Sequence, residues 1–482
     1  MQSRRDQLQA YQFQRRRAVA ALLLGAPDVA EPPMRRLTLT TIAGLMVAAI
    51  LAAGFAIVGL IRPATTAAWR QPGTVIVERE TGARYLLVDG ALHPVLNYAS
   101  ALLALGQPGA SVAMVARAAL REVPRGPAIG IAGLPDSLPA PADLVPGPWL
   151  ACSQARRTPA HVAEVTVSLT AGEAAAALID EEAGVLVSTS DGSREYLLYE
   201  GRRLLLGADA ATALQLGRYI AVPVGTAFLN AVPEGVALDP AVFKFTKPDP
   251  GAPALTVGDK PVQVGQVIKV SDSEDHYVML STGLVPVPPL DAALLAIRSP
   301  QLSFDSAAIQ KAKKSSAAWP HPAGWPDQPP AIAPGPERVG AVCARYAAGA
   351  PVRFAVPADA QPLSQPIQAS ADSVLESGAS AAGVADSVRV ARGSAAIVCS
   401  DSGSEASACL DSDSAAVYLI AAPGVKFPMQ RSVLPILGYD ASAPSVLPAQ
   451  FLQLVPTGPA FDRDAALREV PVTAPAPSPS PS

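Results

Sequence analysis

The stretch RYLLVDGALHPVLNYASALLALG, from Arg84 to Gly106, reads as a short strand, a glycine turn, a second apolar run and a helix. Tyr85 sits among aliphatic residues, and Gly90 permits the positive φ of a tight reversal before His93-Pro94-Val95-Leu96. Asn97 can cap a helix start, and Gly106 can take the left-handed position just after its end. This ββα reading decides the fold because its order recurs three times. The second copy is EYLLYEG with Tyr196 and Gly201, then Leu204 to Gly207 and DAATALQLG from Asp209 to Gly217. The third is HYVMLSTG with Tyr277 and Gly283, then Val285-Pro286-Val287 and Asp291 to Ile297. The fourth is VYLIAAPG with Tyr418 and Gly424, then Lys426-Phe427-Pro428 and SVLPILG from Ser432 to Gly438. Asp209 and Ser432 are expected to cap like Asn97, and Gly217 and Gly438 to close the helix like Gly106.

Working outward, a Val/Leu-Pro-x-Gly motif follows three copies: Leu134-Pro135 without the glycine, Val232-Pro233-Glu234-Gly235 and Val455-Pro456-Thr457-Gly458. The four tyrosines are unevenly spaced, which excludes a regular solenoid or propeller and calls for unequal insertions. Between the third and fourth copies lies a long excursion, proline-rich from Trp319 to Glu337 and alanine- and serine-rich from Gln361 to Ser394, part of it packed centrally. The last residues alternate proline with small side chains and bury almost nothing, so they are expected to be a disordered tail. With 49 prolines in 482 residues, a mostly helical bundle is excluded.

From Leu37 to Ile61 the chain carries no charge, LTLTTIAGLMVAAILAAGFAIVGLI. At about 1.5 Å per residue this run is long enough for a hydrocarbon core about 30 Å thick, and too long for a cleavable signal peptide, so a transmembrane helix is expected. Arg15, Arg16, Arg17, Arg35 and Arg36 crowd its N-terminal side, which leaves the N-terminus in the cytoplasm. Residues 1–36 carry a net charge of +4, seven arginines against Asp6, Asp28 and Glu31, while residues 62–482 hold 30 basic and 38 acidic residues and offer no nucleic-acid surface. The segment before the span mixes Leu8, Tyr11, Phe13, Leu22 and Leu23 with arginines in a helical pattern. It reads either as a docking helix for a cytoplasmic protein or as a basic segment that fixes topology.

The expected organisation is a cytoplasmic basic helix over 1–36, the span over 37–61 and a first repeat region over 62–145. A core segment with the second repeat covers 146–270, the third repeat 271–298, and a core return with the excursion 299–410. The fourth repeat covers 411–470 and the tail 471–482. The fold class is a single N-terminal transmembrane helix followed by a mainly β, α+β extracytoplasmic region.

Catalytic signatures are missing from the sequence: no P-loop, no dinucleotide fingerprint, no H-E-x-x-H and no G-x-S-x-G. His93, His161, His276 and His321 are scattered, and the acidic runs Ser271–Asp275 and Asp411–Asp413 read as solvated loops entering hairpins rather than calcium sites. No catalytic residue, metal or cofactor is expected. On the oxidising side of a membrane the four cysteines are expected to pair. Cys399 with Cys409 would close a small loop and Cys152 with Cys343 would staple distant parts, with buried free thiols as the alternative.

The chain resembles the EccB family, the single-span membrane subunit of the type VII (ESX) secretion apparatus. The resemblance runs over nearly the full length. It rests on QAYQFQRRRAVAALL, Trp69–Gly73, Thr81–Leu86, His93–Ala101, Pro124–Gly126, Gly130–Pro135, Leu454–Gly458 and the closing Asp464–Leu467. It implies an elongated extracytoplasmic part in which four repeat domains surround a central core in a distorted, propeller-like arrangement, with a disulfide at Cys152 and Cys343. The implied partners are EccC (the motor ATPase), EccD and EccE, with the mycosin protease nearby, in an inner-membrane complex where the chain forms a homo-oligomer. Nucleotide hydrolysis is also ascribed to the family. Two functions compete, a structural and assembly subunit of a secretion channel and a tethered nucleotide or cell-wall hydrolase; the second needs a nucleophile or a paired acid and base in one pocket. A passive ligand-binding receptor is a third reading.

Overall fold

The computed structural model describes residues 3–25, 34–61, 68–157, 163–172, 176–244, 255–333, 340–357, 383–401, 416–440 and 444–470. The chain divides into two compact bodies, Met1–Pro72 and Gly73–Ser482. In the first, helix α1 (Arg4–Leu24) opens with a capping box, in which Ser3 accepts from Arg5 and Asp6 accepts from the Ser3 backbone, and closes on left-handed Gly25. Leu8, Tyr11, Phe13 and Leu22 are all exposed. At 100° per residue Leu8, Tyr11 and Leu22 share a side with Arg4 and Arg15 while Phe13 points the opposite way, so the expected division into apolar and basic faces does not arise. Helix α2 (Met34–Ile61) covers the charge-free run. Its side chains are described only from 39 to 55 and are exposed there; among the described residues no helix is long and apolar enough to cross a membrane.

The second body contains four modules of one topology. Module 1 runs β1 (Thr74–Glu78), β2 (Arg84–Val88), β3 (Ala91–Pro94), α3 (Tyr98–Leu105), β4 (Ser111–Val115) and α4 (Arg117–Leu120). Core strands β5 (Trp149–Arg157), β6 (Ala163–Ala171) and β7 (Ala176–Leu178) follow. Module 2 is β8 (Ala183–Thr189), β9 (Glu195–Tyr199), β10 (Arg202–Leu205), α5 (Ala208–Ala213), β11 (Val222–Val224) and α6 (Thr226–Ala231). A hairpin, β12 (Leu255–Val257) and β13 (Lys260–Val262), precedes module 3: β14 (Val267–Val270), β15 (His276–Leu280), β16 (Gly283–Val287), α7 (Pro289–Ala296), β17 (Leu302–Phe304) and α8 (Ser306–Lys311). After β18 (Ala331–Ile332) the chain returns to the core as β19 (Ala341–Tyr346), β20 (Arg353–Pro357) and β21 (Ser387–Arg389). Module 4 is β22 (Ala395–Asp401), β23 (Ala416–Ala421), β24 (Val425–Gln430), α9 (Leu434–Leu437), β25 (Ser445–Pro448) and α10 (Ala449–Gln453), with α11 (Arg463–Ala466) beyond it.

In every module three strands form an antiparallel meander and the fourth lies parallel to the first, giving the orders β3-β2-β1-β4, β10-β9-β8-β11, β16-β15-β14-β17 and β24-β23-β22-β25. The expected ββα unit is therefore the middle of a βββαβα module. The tyrosine-bearing strand and its turn carry local signals, whereas the first and fourth strands are joined only by parallel pairing across a helix, which leaves no turn signature. For the same reason the expected starts at 271 and 411 cut off β14 and β22, which belong to modules 3 and 4. The capping expectations divide. Asn97 accepts from Ser100, with Gly106 and Gly438 left-handed at helix ends. Asp209 instead lies inside the first turn of α5, Ser432 inside a 3-10 turn, and Gly217 in another 3-10 turn without a positive φ.

A clamp closes each module. Leu92 donates to Pro124 and accepts from Gly126; Arg203 uses Pro233 and Gly235, Leu284 uses Lys313 and Ser315, and Lys426 uses Pro456 and Gly458 in the same way. The first-copy counterpart of the Pro-x-Gly motif is thus Val123-Pro124-Arg125-Gly126, not Leu134-Pro135. Glycine is used because the clamp crosses directly over a side chain: a Cβ on Gly126 would overlap the His93 ring and one on Gly235 would overlap Leu204. Each clamp also brings one cation to a paired position, Arg125 opposite Leu92, Arg203 opposite Glu234, Lys314 opposite Leu284 and Lys426 opposite Thr457. In the first three modules that cation lies over the module's tyrosine, Arg125 on Tyr85 at 4.8 Å, Arg203 on Tyr196 at 5.9 Å and Lys314 on Tyr277 at 4.4 Å. In module 4 the Lys426 ammonium instead donates to the Leu452 carbonyl at 2.6 Å.

The core is a six-stranded sheet, β21-β6-β5-β19-β20-β7, built from two distant parts of the sequence. Its main apolar cluster takes in modules 2 and 4. Modules 1 and 4 share a second cluster and modules 2 and 3 a third. The packing order is therefore 1, 4, core, 2, 3: two modules sit on the core and each carries one more, rather than all four surrounding it.

Candidate functional site

The junctions between modules follow a rule of like with like. The first helix of module 1 packs on the first helix of module 4 (α3 on α9), and the same pairing joins modules 2 and 3 (α5 on α7). At the core the second helices of modules 2 and 4 meet (α6 on α10). The residue at one position of the second helix separates the two kinds of module. Five residues before the first clamp residue (Pro124, Pro233, Lys313 or Pro456) it is Phe228 in module 2 and Phe451 in module 4, both fully buried in the central cluster, but Ala119 and Ala308 in modules 1 and 3. A turn glycine supports the same docking: Gly201 and Gly424 lie against the carbonyls of the core residues Val352 and Val388, while Gly90 meets nothing and Gly283 faces its own module's Lys313. All four chosen tyrosines occupy the second strand of a module, with Tyr85 and Tyr196 buried; Gly90, Gly201 and Gly424 lie in the turn that follows, while Gly283 is already the first residue of β16.

The core disulfide joins Cys152 on β5 to Cys343 on β19, with Cα atoms 4.0 Å apart. These residues face each other directly in the antiparallel register, so the staple links neighbouring strands and not weakly coupled parts as expected. Cys399, buried on β22, is also disulfide-bonded; its expected partner Cys409 lies outside the described residues, as do His161 and the acidic run 411–413. The other acidic run is a turn in which Asp272 accepts from the Ser306 backbone and helps start α8. His93 contacts the Pro127 carbonyl, and His276 leaves Nδ1 buried without a partner.

Sequence reading missed a polar cluster at the junction of modules 2 and 3. The proline-rich segment is not a loose excursion here: Trp319 and Trp325 pack against Phe243 at 4.9 and 5.7 Å, and Trp325 Nε1 donates to the Val236 carbonyl at 3.0 Å. This strap covers Asp291 of α7, whose side chain is fully buried. Asp291 Oδ2 accepts from Trp319 Nε1 at 2.5 Å and lies 3.0 Å from His321 Nδ1, while Oδ1 has no hydrogen-bond partner. The other imidazole nitrogen faces the Trp325 carbonyl at 3.3 Å and Asp327 Oδ1 at 3.6 Å. Burial raises the Asp291 pKa against the lowering pull of its two donors. Burial pulls His321 down, but the hydrogen bond and charge of Asp291 outweigh it and the net shift is upward. The available signal was WPHPAGWP itself, two tryptophans and a histidine too costly to leave in a solvated linker.

As chemistry the cluster is closed. Both His321 nitrogens face acceptors, so neither is free for a substrate, and no serine, cysteine or threonine contacts the ring among its described partners. Among the described residues no group of three or more His, Cys, Asp or Glu could hold a metal. The cavity beside the Arg353–Glu181 pair measures about 30 Å³, room for a single water. The arrangement is suited to holding modules together.

The family described as "Type VII secretion system ESX-1, transport TM domain B" (EccB) matches residues 1–475. The ESX-3 secretion system ATPase EccB3 of Mycolicibacterium smegmatis is 31% identical over 303 residues, 60% of this chain and 56% of that protein. The ESX-5 secretion system ATPase EccB5 of Mycobacterium tuberculosis is 29% identical over 308 residues, 61% and 58%. The chain thus spans somewhat over half the length of these relatives. Among solved structures, a chain of an intact ESX-5 inner membrane complex has the same fold, with a TM-score of 0.63 at 23% identity over 100% of this chain and 98% of that one. The EccB3 dimer from the ESX-3 core complex gives a TM-score of 0.61 at 25% identity, covering 82% of this chain and 99% of that one. Matched by the family model over residues 1–475, the chain belongs to the EccB family of type VII (ESX) secretion.

Proposed function

We propose that this chain is a structural and assembly subunit of a type VII secretion inner-membrane complex, held by α2 with its N-terminus in the cytoplasm and residues 62–482 outside. The observation that carries the reading is that the second body consists of module junctions and clamps. Membrane anchoring is supported by 25 consecutive uncharged residues within a 28-residue helix, flanked by arginines on its N-terminal side. Exposed Leu39, Ile42, Leu45, Met46, Ile50, Leu51 and Phe55 give lipid an apolar surface to solvate. Homo-oligomer formation is supported by β4, the fourth strand of module 1. It buries Val115 as its counterparts bury Val224 and Phe304, and on the opposite face it leaves Val112 and Met114 more than half exposed.

The partners are EccC, EccD and EccE, with the mycosin protease nearby, and α1 is the docking element on the cytoplasmic side. The deciding experiment is affinity capture of the full chain from solubilised membranes. Co-purification of the other membrane subunits is expected, and capture of the chain alone would overturn the reading. The names of the relatives favour one rival, a tethered ATPase. Purified residues 62–482 should show no ATP turnover; robust turnover abolished by one substitution would establish the rival.

A further inference from the structure

We propose that His321 is a pH-governed latch: as an imidazolium it pins the Trp319–Asp327 strap across the junction of modules 2 and 3, and on losing its proton it releases one side of that strap. The argument is geometric. Nδ1 faces a buried carboxylate, and Nε2 faces a carbonyl and a second carboxylate. Only the imidazolium carries a proton on both nitrogens. A neutral ring with its proton on Nδ1 turns a lone pair toward the Trp325 carbonyl and Asp327; with its proton on Nε2 it turns one toward Asp291. Either tautomer loses a bond and gains a repulsion.

The strap it holds touches both modules. It contacts Val236 and Phe243 on the module 2 side, and the Asp327 carbonyl accepts from the Leu290 backbone of α7. The charged or titratable groups around the ring are Asp291 from α7 and Asp327 from the strap. Asp327 also acts electrostatically on Tyr199 of module 2, as do Glu200 and Glu182. Arg298 at the end of α7 bridges the same junction to Asp209 at 2.7 Å and Asp239 at 3.8 Å. Two cations lie nearby, Arg298, which has its own carboxylates, and Arg202 of β10, whose side chain runs beside Gly324 of the strap; the groups that face the ring nitrogens directly, Asp291 and Asp327, are both acids and favour the imidazolium. Burial pulls the His321 pKa down, but the hydrogen bond and charge of Asp291 outweigh it and the folded value is raised. Stabilisation from a raised pKa is complete below the unfolded value and is lost as pH rises through the folded one, so the latch opens as pH rises through the folded His321 value.

The test is hydrogen exchange of the full chain in detergent micelles between about pH 5 and 9, converted to protection factors so that intrinsic exchange drops out. Amides of the strap should lose protection as pH rises through the folded His321 value. The loss should be about tenfold for each unit by which that value exceeds the unfolded one. A core peptide spanning Cys152 should not change. His321→Gln should remove the slope in the strap, and Asp291→Asn should move its midpoint to lower pH while leaving the remaining contacts in place. A wild-type strap whose protection is flat or rises with pH, or a slope that His321→Gln leaves unaltered, overturns the proposal.

Discussion

The junction between modules 1 and 4 and the junction between modules 2 and 3 use the same pair of helices, yet their interiors differ. The first closes on Leu102, Leu103, Phe427, Leu434, Leu437 and Phe461, and the hydroxyl of its buried Tyr439 donates to the Pro139 carbonyl. The second has a comparable apolar base in Leu204, Phe243, Leu290 and Leu294, but it adds a fully buried carboxylate from α7 and, from a segment outside either module, a histidine and two tryptophans. The comparison shows that geometry and chemistry are separable in a repeat protein. Helix pairing is inherited with the module, whereas what seals the joint comes from the insertion nearby.

Removing the shared part should affect both joints alike. Leu434→Ala and Leu290→Ala each take a fully buried leucine from the first helix of a module. Each is expected to cost about 2–5 kcal/mol, read as a lower melting temperature of residues 73–482. A loss confined to one of the two would break the equivalence.

The core disulfide gives the next effect. Substituting Cys152 or Cys343 by serine should cost about 2–4 kcal/mol, by denaturant unfolding of the same fragment with and without reductant. Because the two cysteines are direct neighbours in a six-residue pairing of β5 with β19, and β5 also pairs with β6 over nine residues, the sheet itself should persist. A reduced protein whose core peptides exchange freely would show that the ladder depends on the bond.

The polar part separates the joints. Asp291→Asn should cost about 1–3 kcal/mol, since it weakens two bonds to a buried carboxylate, and should flatten the fall in stability as pH rises through the raised His321 pKa. Leu434→Ala should leave that pH slope unchanged. Equal slopes in the two variants would mean that the junctions do not differ in proton linkage.

The smallest effects distinguish docked hairpins from free ones. Gly201→Ala and Gly424→Ala meet a core carbonyl and a positive φ together, whereas Gly90→Ala meets only the positive φ. The free hairpin should lose about 1–2 kcal/mol from the backbone alone, and the docked pair more. Calorimetry that ranks Gly90 with the other two would remove the docking argument.

How much was legible follows from how local each signal is. Tyr85, Tyr196, Tyr277 and Tyr418 with their turn glycines mark a hairpin because strand, turn and strand are contiguous in the chain. The fourth strands, three to five residues long, pair in parallel with a first strand on the far side of a helix, and nothing near Val222 or Leu302 announces that partner. Asp291 illustrates the same limit at the candidate site. It reads as a first-turn acid of a helix, and only the return of Trp319 and His321 28 and 30 residues later makes it a buried acceptor.

The sequence by itself determined that four related modules exist, where their hairpins turn, and which stretch is free of charge over a membrane's thickness. It also held, in Phe228 and Phe451 against Ala119 and Ala308, the mark of which modules dock centrally, though that mark means nothing until the helices are placed together. Tertiary structure alone decided the order of packing, the adjacency of Cys152 and Cys343 across the core sheet, and the burial of Asp291 beneath the strap. Hairpins and caps are settled by interactions within a few residues, while parallel pairing, helix docking and the burial of a charge depend on surfaces that meet only after the chain has closed loops of tens to hundreds of residues.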